Sequence, residues 1–282
     1  MQSVRLTQIQ MSVTDDRAAN LRRAAEGVDR AAAEGAEIVC LPEMFTTPYG
    51  NEWFPRFAEA ADGETAEMLS RAAARNGVVL SGGSFPERSG DRLYNTSLLF
   101  GPQGQLLSRH RKLHLFDIDL PERFSFRESD TLSAGDAVTV ADTPYGRIGT
   151  AICFDIRFPE LFRLMVLEGA HIILVPAAFN TTTGPAHWHL LARSRAVDNQ
   201  AFVALTSPAR QGSVFAAYGH SLVADPWGDI LCEAGEGDTR VASVLDLDMP
   251  ARVRRELPFL TARRTDLYQL TASVMPPSGT DI

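Results

Sequence analysis

The sequence predicts an α/β fold, in which helices cover the faces of β-sheets. The chain has 282 residues, enough for one large α/β domain or two small ones. Short apolar or alternating stretches with the period of β-strands recur between stretches with helical periodicity. The chain contains no repeat, no low-complexity tract and no clear linker. Strands and helices mixed along one uninterrupted chain favour a single α/β domain.

The N-terminal part is predicted to begin with a strand, a helix and a second strand. Residues 4–10 alternate between apolar and polar side chains, as a half-buried strand does. Asp15 or Asp16 can cap the helix that follows. Residues 37–42 form the next strand, which Pro42 ends. Glu43 comes directly after this strand, so its carboxyl group is expected at the edge of a sheet.

The middle of the chain is predicted to contain a helix, a strand and a hairpin. A helix over residues 63–76 is expected to end at Gly77, and a strand follows at 78–84. Residues 93–100 and 105–110 are predicted to pair as a hairpin around a glycine-containing turn. Lys112 lies at the end of that hairpin. Residues 113–133 carry many charges and a proline, and we interpret them as a long functional loop or lid.

Residues 146–160 are predicted to form a strand, a tight turn and the start of a helix. An apolar run bounded by glycines indicates a buried strand, and Pro159 lies just inside the helix. Cys153 lies where the strand gives way to the turn. We expect its thiol to leave the sheet edge towards the positive end of the next helix, which would favour the thiolate. A small buried hydrophobic side chain is the alternative interpretation of a single cysteine.

The C-terminal part alternates strands with one long helix. Residues 187–199 are predicted to be helical, and residues 249–268 to form a short helix and an arginine-rich tail. A turn is expected at 225–229. The predicted strands of this part cover residues 171–177, 201–206, 220–224 and 241–246.

Composition limits the classes of partner and the compartment. The net charge of −8 argues against nucleic acid and anionic membranes as partners. The three cysteines are far apart and form no CxxC pair, which favours a reducing compartment. The N-terminus has no signal-peptide pattern, and no apolar run is long enough to span a bilayer. These features predict a cytoplasmic protein with neither nucleic acid nor a membrane as partner.

Glu43, Lys112 and Cys153 all lie at predicted strand ends. A carboxylate near a thiol can take its proton, and an ammonium group can stabilise both a thiolate and an oxyanion. Taken singly, Glu43 could be an ordinary acid at a helix start and Lys112 a solvated strand end. Spacing alone does not show that the three side chains meet.

Three segments resemble the signature motifs of the nitrilase superfamily, the carbon–nitrogen hydrolases. They are Leu-Pro-Glu-Met-Phe at 41–45, His-Arg-Lys-Leu-His-Leu-Phe at 110–116 and Ala-Ile-Cys-Phe-Asp-Ile-Arg-Phe-Pro-Glu-Leu at 151–161. The resemblance implies an α-β-β-α sandwich with Glu43 as general base, Lys112 as oxyanion stabiliser and Cys153 as nucleophile. The segment at 125–136 is similar to the one that supplies a second glutamate beside the lysine, and it nominates Glu128.

Further segments are similar to the omega-amidase branch of that superfamily. They lie at 112–121, 179–188, 193–200, 207–210 and 263–268, so the resemblance runs from about residue 4 to 268. It implies a hydrolase domain over residues 1–270, a C-terminal tail over 271–282, and a homodimer or higher homo-oligomer. His189 stands where relatives often carry an acid, which affects the local charge.

The resemblance also implies the reaction and its substrate class. Cys153 would form a thioester with the terminal amide of a short dicarboxylate, such as 2-oxoglutaramate or 2-oxosuccinamate, without a metal or cofactor. His187 and His189 face different sides of a helix and cannot share a metal. Arg157 would bind the distal carboxylate, because a guanidinium grips a carboxylate with two parallel bonds. The remaining candidate pocket residues are His114, expected to face the pocket from a strand, and the aromatic residues Tyr49, Phe116 and Phe179.

Two other interpretations remain open at this point. The triad does not distinguish an omega-amidase from another aliphatic amidase or a nitrilase of the superfamily. A catalytically idle binding or scaffold protein on the same fold is the alternative from a different class. Should Arg157 not bind the substrate, Arg193 and Arg195 on the predicted helix at 187–199 are the next candidate cations.

Overall fold

A computed structural model describes residues 2–120, 124–210, 212–213 and 215–272 of the chain. In these ranges the strands in the first half are β1 (Ser3–Gln10), β2 (Ile38–Cys40), β3 (Val79–Ser81), β4 (Phe85–Ser89), β5 (Arg92–Phe100), β6 (Leu106–Arg111), β7 (Asp117–Leu120) and β8 (Phe124–Arg127). Those in the second half are β9 (Val140–Thr143), β10 (Gly146–Thr150), β11 (Ile172–Pro176), β12 (Phe202–Thr206), β13 (Leu222–Ala224), β14 (Ile230–Glu233) and β15 (Thr239–Asp246). The helices are α1 (Arg17–Ala33), α2 (Phe54–Phe57), α3 (Glu64–Asn76), α4 (Pro159–Leu167), α5 (Gly184–Asn199) and α6 (Met249–Glu256).

The long strands form two mixed sheets. Among the described residues, the first sheet has the order β15-β1-β2-β3-β5-β4, with β6 also paired to β5, and the second has the order β14-β13-β12-β11-β10-β9. In the first sheet β1, β2 and β3 run parallel, and in the second β10, β11 and β12 do. Parallel neighbours bring their carboxyl ends to one edge of each sheet, where ligands bind in α/β proteins.

The two sheets pack face to face, and helices cover their outer faces. One buried cluster joins Leu6 and Ile38 of the first sheet to Ile172 and Phe202 of the second. A second cluster packs α1 and α3 on the first sheet, and a third packs α4 and α5 on the second. This arrangement confirms the predicted α-β-β-α sandwich.

Most of the predicted elements are present, and their ends follow the expected chemistry. Asp16 caps α1 by accepting a hydrogen bond from the backbone N–H of Ala19 at 2.9 Å. Gly77 ends α3 with a left-handed φ of 64°. Pro159 occupies the first turn of α4. The hairpin of β5 and β6 pairs as predicted, and Lys112 follows its second strand.

The segment 113–133 differs from the predicted loop or lid. It contains β7 and β8, which pair as an antiparallel hairpin, and a 3₁₀ turn at Glu128–Asp130. The turn residues and charges concealed these four-residue strands, which have no apolar face long enough to show a period. The prediction also lacks the strands β4, β9 and β14, which mix polar and apolar residues over four or five positions. They lack the short buried apolar run that made the three-residue strands β2, β3 and β13 predictable.

The C-terminal tail expected at 271–282 lies outside the described residues except for 271 and 272. The boundary between domain and tail therefore stays a prediction. Among the helices of the described ranges, none has both the length and the apolar character needed to cross a membrane.

Candidate active site

Glu43 follows β2 at the edge of the first sheet and is fully buried. Its Oε1 accepts a hydrogen bond from Asn95 Nδ2 at 2.8 Å. Its Oε2 accepts one from the backbone N–H of Ala178, after β11 of the second sheet, at 2.6 Å. The next residue, Met44, has a left-handed φ of 50°. The chain therefore turns sharply as it leaves the carboxylate, which is held between the sheets.

Lys112 follows β6 of the first sheet, and its side chain is also fully buried. Its Nζ lies 3.2 Å from Glu43 Oε1 and 2.9 Å from Glu128 Oε2. Nζ also donates to the hydroxyl of Tyr49 at 3.3 Å. One ammonium group is thus shared by two carboxylates and a phenol, which satisfies its three donor positions.

Glu128 reaches this cluster from the 3₁₀ turn after the β7–β8 hairpin. Its Oε1 accepts from the Tyr49 hydroxyl at 3.1 Å, and its Oε2 accepts from the backbone N–H of Phe116 at 2.7 Å. The carboxylate is completely buried. The hairpin that sequence patterns did not reveal is therefore the element that carries this glutamate to the lysine.

Cys153 follows β10 of the second sheet and begins the 3₁₀ turn Cys153–Arg157. Its φ is 46°, a left-handed conformation that costs free energy for any residue with a Cβ. The Glu43 carboxylate and the backbone N–H of Ala178 are the neighbouring polar groups that interact with the thiol. The structure thus brings together Glu43, Lys112, Glu128 and Cys153, four residues that come from both sheets and the hairpin.

Burial and neighbouring charges shift the pKa values of this cluster. Burial raises the pKa of the Glu43 carboxyl, although Lys112 partly opposes the shift. Burial alone would lower the pKa of Lys112, but the carboxylates of Glu128 and Glu43 raise it well above its ordinary value. Lys112 therefore remains an ammonium group at any physiological pH. Titratable groups with strongly perturbed pKa values are typical of functional sites.

The expected thiolate at Cys153 is not what the structure favours. Burial, and then the Glu43 charge, raise the pKa of the thiol well above its ordinary value. The helix α4 begins at Pro159, six residues after Cys153. The resting thiol is therefore neutral, and it needs a base such as Glu43 when it reacts.

Sequence analysis missed two polar residues at the site. Asn95, on β5, donates to Glu43 and lies 3.5 Å from Glu128 Oε1, so its amide lies between the two acids. Asp155 lies inside the Cys153 turn and accepts from the backbone N–H groups of Ile152 and His114 at 2.9 Å each. Asn95 carried no sequence signal, because a lone Asn in an apolar strand has no diagnostic partner. Asp155 lies within the 151–161 segment that resembles the family motif, but its residue type alone predicts no role for it.

Arg157 ends the Cys153 turn, and its guanidinium is half-buried. The group lies 5.4 Å from the ring centre of Phe154 and 5.2 Å from that of Phe179. Its NH1 and NH2 each lie 3.3 Å from His187 Nδ1. Burial lowers its pKa, and within the described ranges it forms no ion pair with an acid. A desolvated cation without a protein counter-charge is suited to bind an anionic ligand.

The other candidate pocket residues have more specific contacts than packing. Tyr49 is part of the Lys112–Glu128 network through its hydroxyl. Phe116 supplies a backbone N–H to Glu128, and its ring meets that of Phe154 at 5.3 Å. Phe179 packs edge-on against Trp188 at 5.1 Å and lies under Arg157. All three therefore contact either Arg157 or the group formed by Glu43, Lys112 and Glu128, the acid–lysine cluster.

His114 differs from its predicted position. It lies outside any strand, its Nδ1 is 2.7 Å from Asp155 Oδ1, and its ring stacks on Phe158 at 3.6 Å. The chain leaves β6 at Arg111, so the alternation expected of a strand does not extend to residue 114. His114 is held by Asp155 and does not reach the pocket from a strand, and its contact with the substrate stays a prediction.

The alternative cations and His189 have partners elsewhere. Arg195 donates through Nε to the backbone oxygen of Ile156 at 2.8 Å, which braces the Cys153 turn. Arg193 donates to the backbone oxygen of Gly228 at 2.7 Å. His189 Nε2 lies 2.9 Å from Glu233 Oε1, on the other side of α5 from Arg157. Neither arginine is placed to replace Arg157.

A cavity of about 10 Å³ lies against Glu43, Tyr49 and Ala178, with Phe215 at its wall. This volume is about that of one water molecule. In the part of the chain that the structure describes, no group of three or more His, Cys, Asp or Glu side chains is arranged to hold a metal ion. The chemistry that the site offers is that of a thiol, two acids and a lysine.

An α-β-β-α sandwich that buries a thiol beside a carboxylate and an ammonium group is typical of a hydrolase. Comparison with known proteins agrees, since residues 3–254 match the family model described as carbon-nitrogen hydrolase. The chain belongs to the carbon–nitrogen hydrolase family, and it is an enzyme that hydrolyses carbon–nitrogen bonds of amides.

Similar proteins include omega-amidases of vertebrates. The chain is 47% identical to omega-amidase NIT2 of Xenopus tropicalis, over 96% of this chain and 98% of that protein. It is also 47% identical to omega-amidase NIT2 of Homo sapiens, over 95% of this chain and 98% of that protein. The crystal structure of Saccharomyces cerevisiae Nit3, a member of branch 10 of the nitrilase superfamily, has a TM-score of 0.85 and 42% identity, covering 93% of this chain and 97% of that one.

Proposed function

We propose that the protein is an omega-amidase, which hydrolyses the terminal amide of short dicarboxylate monoamides such as 2-oxoglutaramate and 2-oxosuccinamate. The observation that carries this proposal is that a single turn, Cys153–Arg157, holds both the thiol and a guanidinium. Cys153 begins the turn inside the acid–lysine cluster, and Arg157 ends it with a guanidinium that has no acidic partner in the described chain. The vertebrate omega-amidases at 47% identity support the same substrate class.

In the acylation step Cys153 is the nucleophile, Glu43 the general base and Lys112 the oxyanion stabiliser. As the sulfur attacks the amide carbon, its proton passes to the Glu43 carboxylate, which is a direct neighbour of the thiol. The Lys112 ammonium stabilises the oxygen that becomes negative, and Glu128 and Tyr49 hold that ammonium in place. Glu43 then gives its proton to the nitrogen, and the carbon–nitrogen bond breaks. Ammonia departs, and the acyl group remains on Cys153 as a thioester.

In the deacylation step water cleaves the thioester. Glu43 removes a proton from the water, whose oxygen forms a bond to the acyl carbon, and the departing sulfur takes the proton back. The cavity beside Glu43 and Ala178 is a suitable position for this water, because it has room for about one molecule and one wall is the base itself. No oxidant, metal or cofactor enters either step.

Arg157 is the residue that we propose to select the substrate. Its guanidinium is placed by the same turn that places the nucleophile, and it is fixed between the rings of Phe154 and Phe179. A carboxylate can supply the counter-charge that no acid of the described ranges gives to Arg157. Phe179 packs against the guanidinium, and Phe116 packs against Phe154, the other ring beside it. Apolar surfaces of this kind suit a short carbon chain.

We also propose a homodimer or higher homo-oligomer in the cytoplasm. The oligomer is supported by the resemblance and by exposed apolar side chains on the outer helices, where Leu167 of α4 is 40% and Leu190 of α5 is 63% exposed. The compartment is supported by the chemistry, since the nucleophile must stay reduced, and all three cysteines are free thiols. Light scattering of the purified protein tests the oligomer.

The decisive experiment measures ammonia release from 2-oxoglutaramate and 2-oxosuccinamate, beside a neutral aliphatic amide and a nitrile of similar length. The proposal expects the anionic amides to be preferred in kcat/KM. Preference for the neutral amide would make the protein a different amidase, and preference for the nitrile would make it a nitrilase. Release of ammonia from none of them would favour a binding protein on this fold.

A further inference from the structure

We infer that His187 is a positioning residue that holds Arg157 in the orientation needed to bind the distal carboxylate of the substrate. The inference rests on the proposed function, because it concerns the same anionic substrate. It assigns a role to a histidine on α5, thirty positions after the arginine in sequence, that neither the triad nor the substrate contacts described above require.

The contact between Arg157 and His187 determines which side chain donates the hydrogen bond and which accepts it. Both terminal nitrogens of Arg157 lie 3.3 Å from His187 Nδ1. A guanidinium can only donate hydrogen bonds, so Nδ1 must be the acceptor. His187 is therefore neutral in this state, with its proton on Nε2. It contributes a lone pair and no charge, which leaves the positive charge of Arg157 available to a ligand.

The arrangement determines which edge of the guanidinium is left for the substrate. His187 occupies the fork between the two terminal nitrogens. The Nε of Arg157 is buried and has no hydrogen-bond partner within the described chain, so its N–H is unsatisfied until a ligand accepts from it. A carboxylate that approaches side-on can therefore pair with Nε–H and an outer N–H, while the imidazole keeps the fork. The rings of Phe154 and Phe179 limit tilting of the plane.

The position of His187 is itself well fixed. It lies in the first turn of α5, where its backbone N–H donates to the backbone oxygen of Thr183 at 3.0 Å. The neighbouring Trp188 is fully buried and donates through Nε1 to the backbone oxygen of His220 at 2.6 Å. A rigid helix end thus presents the acceptor, whereas the long arginine side chain would otherwise lose rotamer entropy on binding the substrate.

The test uses two substitutions of His187 and one matched control. His187→Asn keeps an acceptor oxygen near the position of Nδ1, and His187→Leu removes it at similar size. His189→Leu, two residues along the same helix, removes a histidine that contacts Glu233 instead. We expect His187→Leu to raise KM for 2-oxoglutaramate ~10-fold with little change in kcat, as for loss of one hydrogen bond to a charged group. His187→Asn should recover most of the loss, and His189→Leu should resemble the wild type.

A second measurement separates this inference from the proposed function. Alkylation of Cys153 by iodoacetamide is followed with and without glutarate, a plain dicarboxylate, which should protect the wild type and His187→Asn at concentrations ~10-fold lower than His187→Leu. If the wild type does not hydrolyse 2-oxoglutaramate but glutarate protects the three proteins in this order, the proposed substrate is wrong and the role of His187 stands. Equal KM and equal protection in wild type and His187→Leu would overturn the role of His187 and leave the omega-amidase intact. Wild type that neither hydrolyses the amide nor is protected would overturn both.

Discussion

Backbone strain accompanies the proposed nucleophile and the proposed general base. Cys153 itself and Met44, directly after Glu43, have left-handed φ angles of 46° and 50°. Such conformations cost about 1–2 kcal/mol for residues with a Cβ and persist only when surrounding contacts enforce them. Here they aim a thiol and a carboxylate from different sheets at each other. Neither residue is Gly or Asn, so no sequence pattern could have revealed this strain.

Replacement of Cys153 should abolish turnover without loss of the fold. Cys153→Ala keeps a Cβ at the same φ and removes only the sulfur, so the free energy of unfolding should change little. Mass spectrometry of wild type quenched during turnover should find the acyl adduct on Cys153. Cys40→Ala and Cys232→Ala are the matched controls and should retain activity. An adduct on either of those residues would contradict the assignment.

Loss of the base or of the oxyanion partner should be nearly as damaging. Glu43→Gln removes the proton acceptor at constant size, and Lys112→Ala removes the ammonium group. We expect each to lower kcat by ~10²–10³, the usual cost of losing one such electrostatic partner. Steady-state kinetics check the loss. Glu128→Gln should cost less, because Glu128 contacts Lys112 and Tyr49 but not the thiol. An equal loss in Glu128→Gln would indicate that it transfers protons directly.

Substitution of Arg157 should affect anionic substrates more than neutral ones. Arg157→Ala leaves the distal carboxylate of the substrate without a positive partner, which typically costs roughly 2–5 kcal/mol of binding free energy. A neutral amide of similar length loses no ion pair. Arg157→Lys should recover only part of the activity, because an ammonium group lacks the planar fork. The ratio of kcat/KM losses on the two substrates is the measurement. Equal losses would mean that Arg157 shapes the turn and does not contact the substrate.

At the level of elements, strand ends position the site and short elements limit what sequence can predict. Strands such as β1 and β5 have eight or nine residues and show their period clearly. The β7–β8 hairpin, with four residues per strand, does not, and yet it carries the turn of Glu128. The motif around Cys153 was readable as a strand, turn and helix, but the neutral state of its thiol depends on burial by residues distant in sequence.

A tight contact between two loops fixes Glu43, and Gly83→Ala should disturb it. Gly83 has a φ of 58°, and a Cβ there would lie 2.2 Å from the backbone oxygen of Pro42, directly before Glu43. Backbone cannot yield as a flexible side chain can, so the carboxylate should be displaced. We expect kcat/KM to fall ~10²-fold, as for a misplacement of about 1 Å at a catalytic group.

Gly90→Ala is the matched control for Gly83→Ala. Gly90 has the same φ of 58°, but nothing lies within 4 Å of its Cβ position. Both substitutions place a Cβ on a residue with a left-handed φ, so that cost is the same in each variant. The difference between their free energies of unfolding therefore measures the steric clash at Gly83, and we expect about 1–3 kcal/mol, as for overpacking. Equal stability and equal activity of the two variants would show that the loop before Glu43 relaxes freely.

At the scale of the whole molecule, the site exists only because two sheets are held in register. Glu43 and Lys112 belong to the first sheet, and Cys153 to the second. Buried polar contacts join the sheets, such as Gln8 Nε2 of β1 donating to the backbone oxygen of Leu205 in β12 at 2.7 Å. Such contacts span about two hundred positions, and spacing could not predict them. Only the resemblance to a known family indicated that the triad would meet.

Asp155 is a buried charged residue that links the two sheets. Its Oδ2 accepts from Ile152 N–H after β10, at 2.9 Å, and lies 3.3 Å from His110 Nε2 of β6. Burial alone would raise its pKa, but hydrogen bonds from His110, from His114 and from Ile152 lower it. A carboxyl group whose pKa is lower in the folded than in the unfolded chain stabilises the fold above the unfolded value, near ~3.9, and this contribution is lost as pH falls towards the folded pKa.

Asp155→Asn should therefore destabilise the protein in a pH-dependent way. The neutral amide keeps the size but presents a donor or a weaker acceptor to four hydrogen-bond donors, at a cost of about 3 kcal/mol at pH 7. Urea unfolding should show a constant difference in the free energy of unfolding between wild type and variant from pH 7 to about pH 5. This difference should narrow below roughly pH 4, because the Asp155 carboxyl of the unfolded wild type then takes up a proton. Asp142→Asn, whose side chain is 82% exposed, is the control and should show little gap at any pH. A gap for Asp155→Asn that persisted unchanged to pH 3 would mean that packing, and not the buried charge, holds the two sheets together at this point.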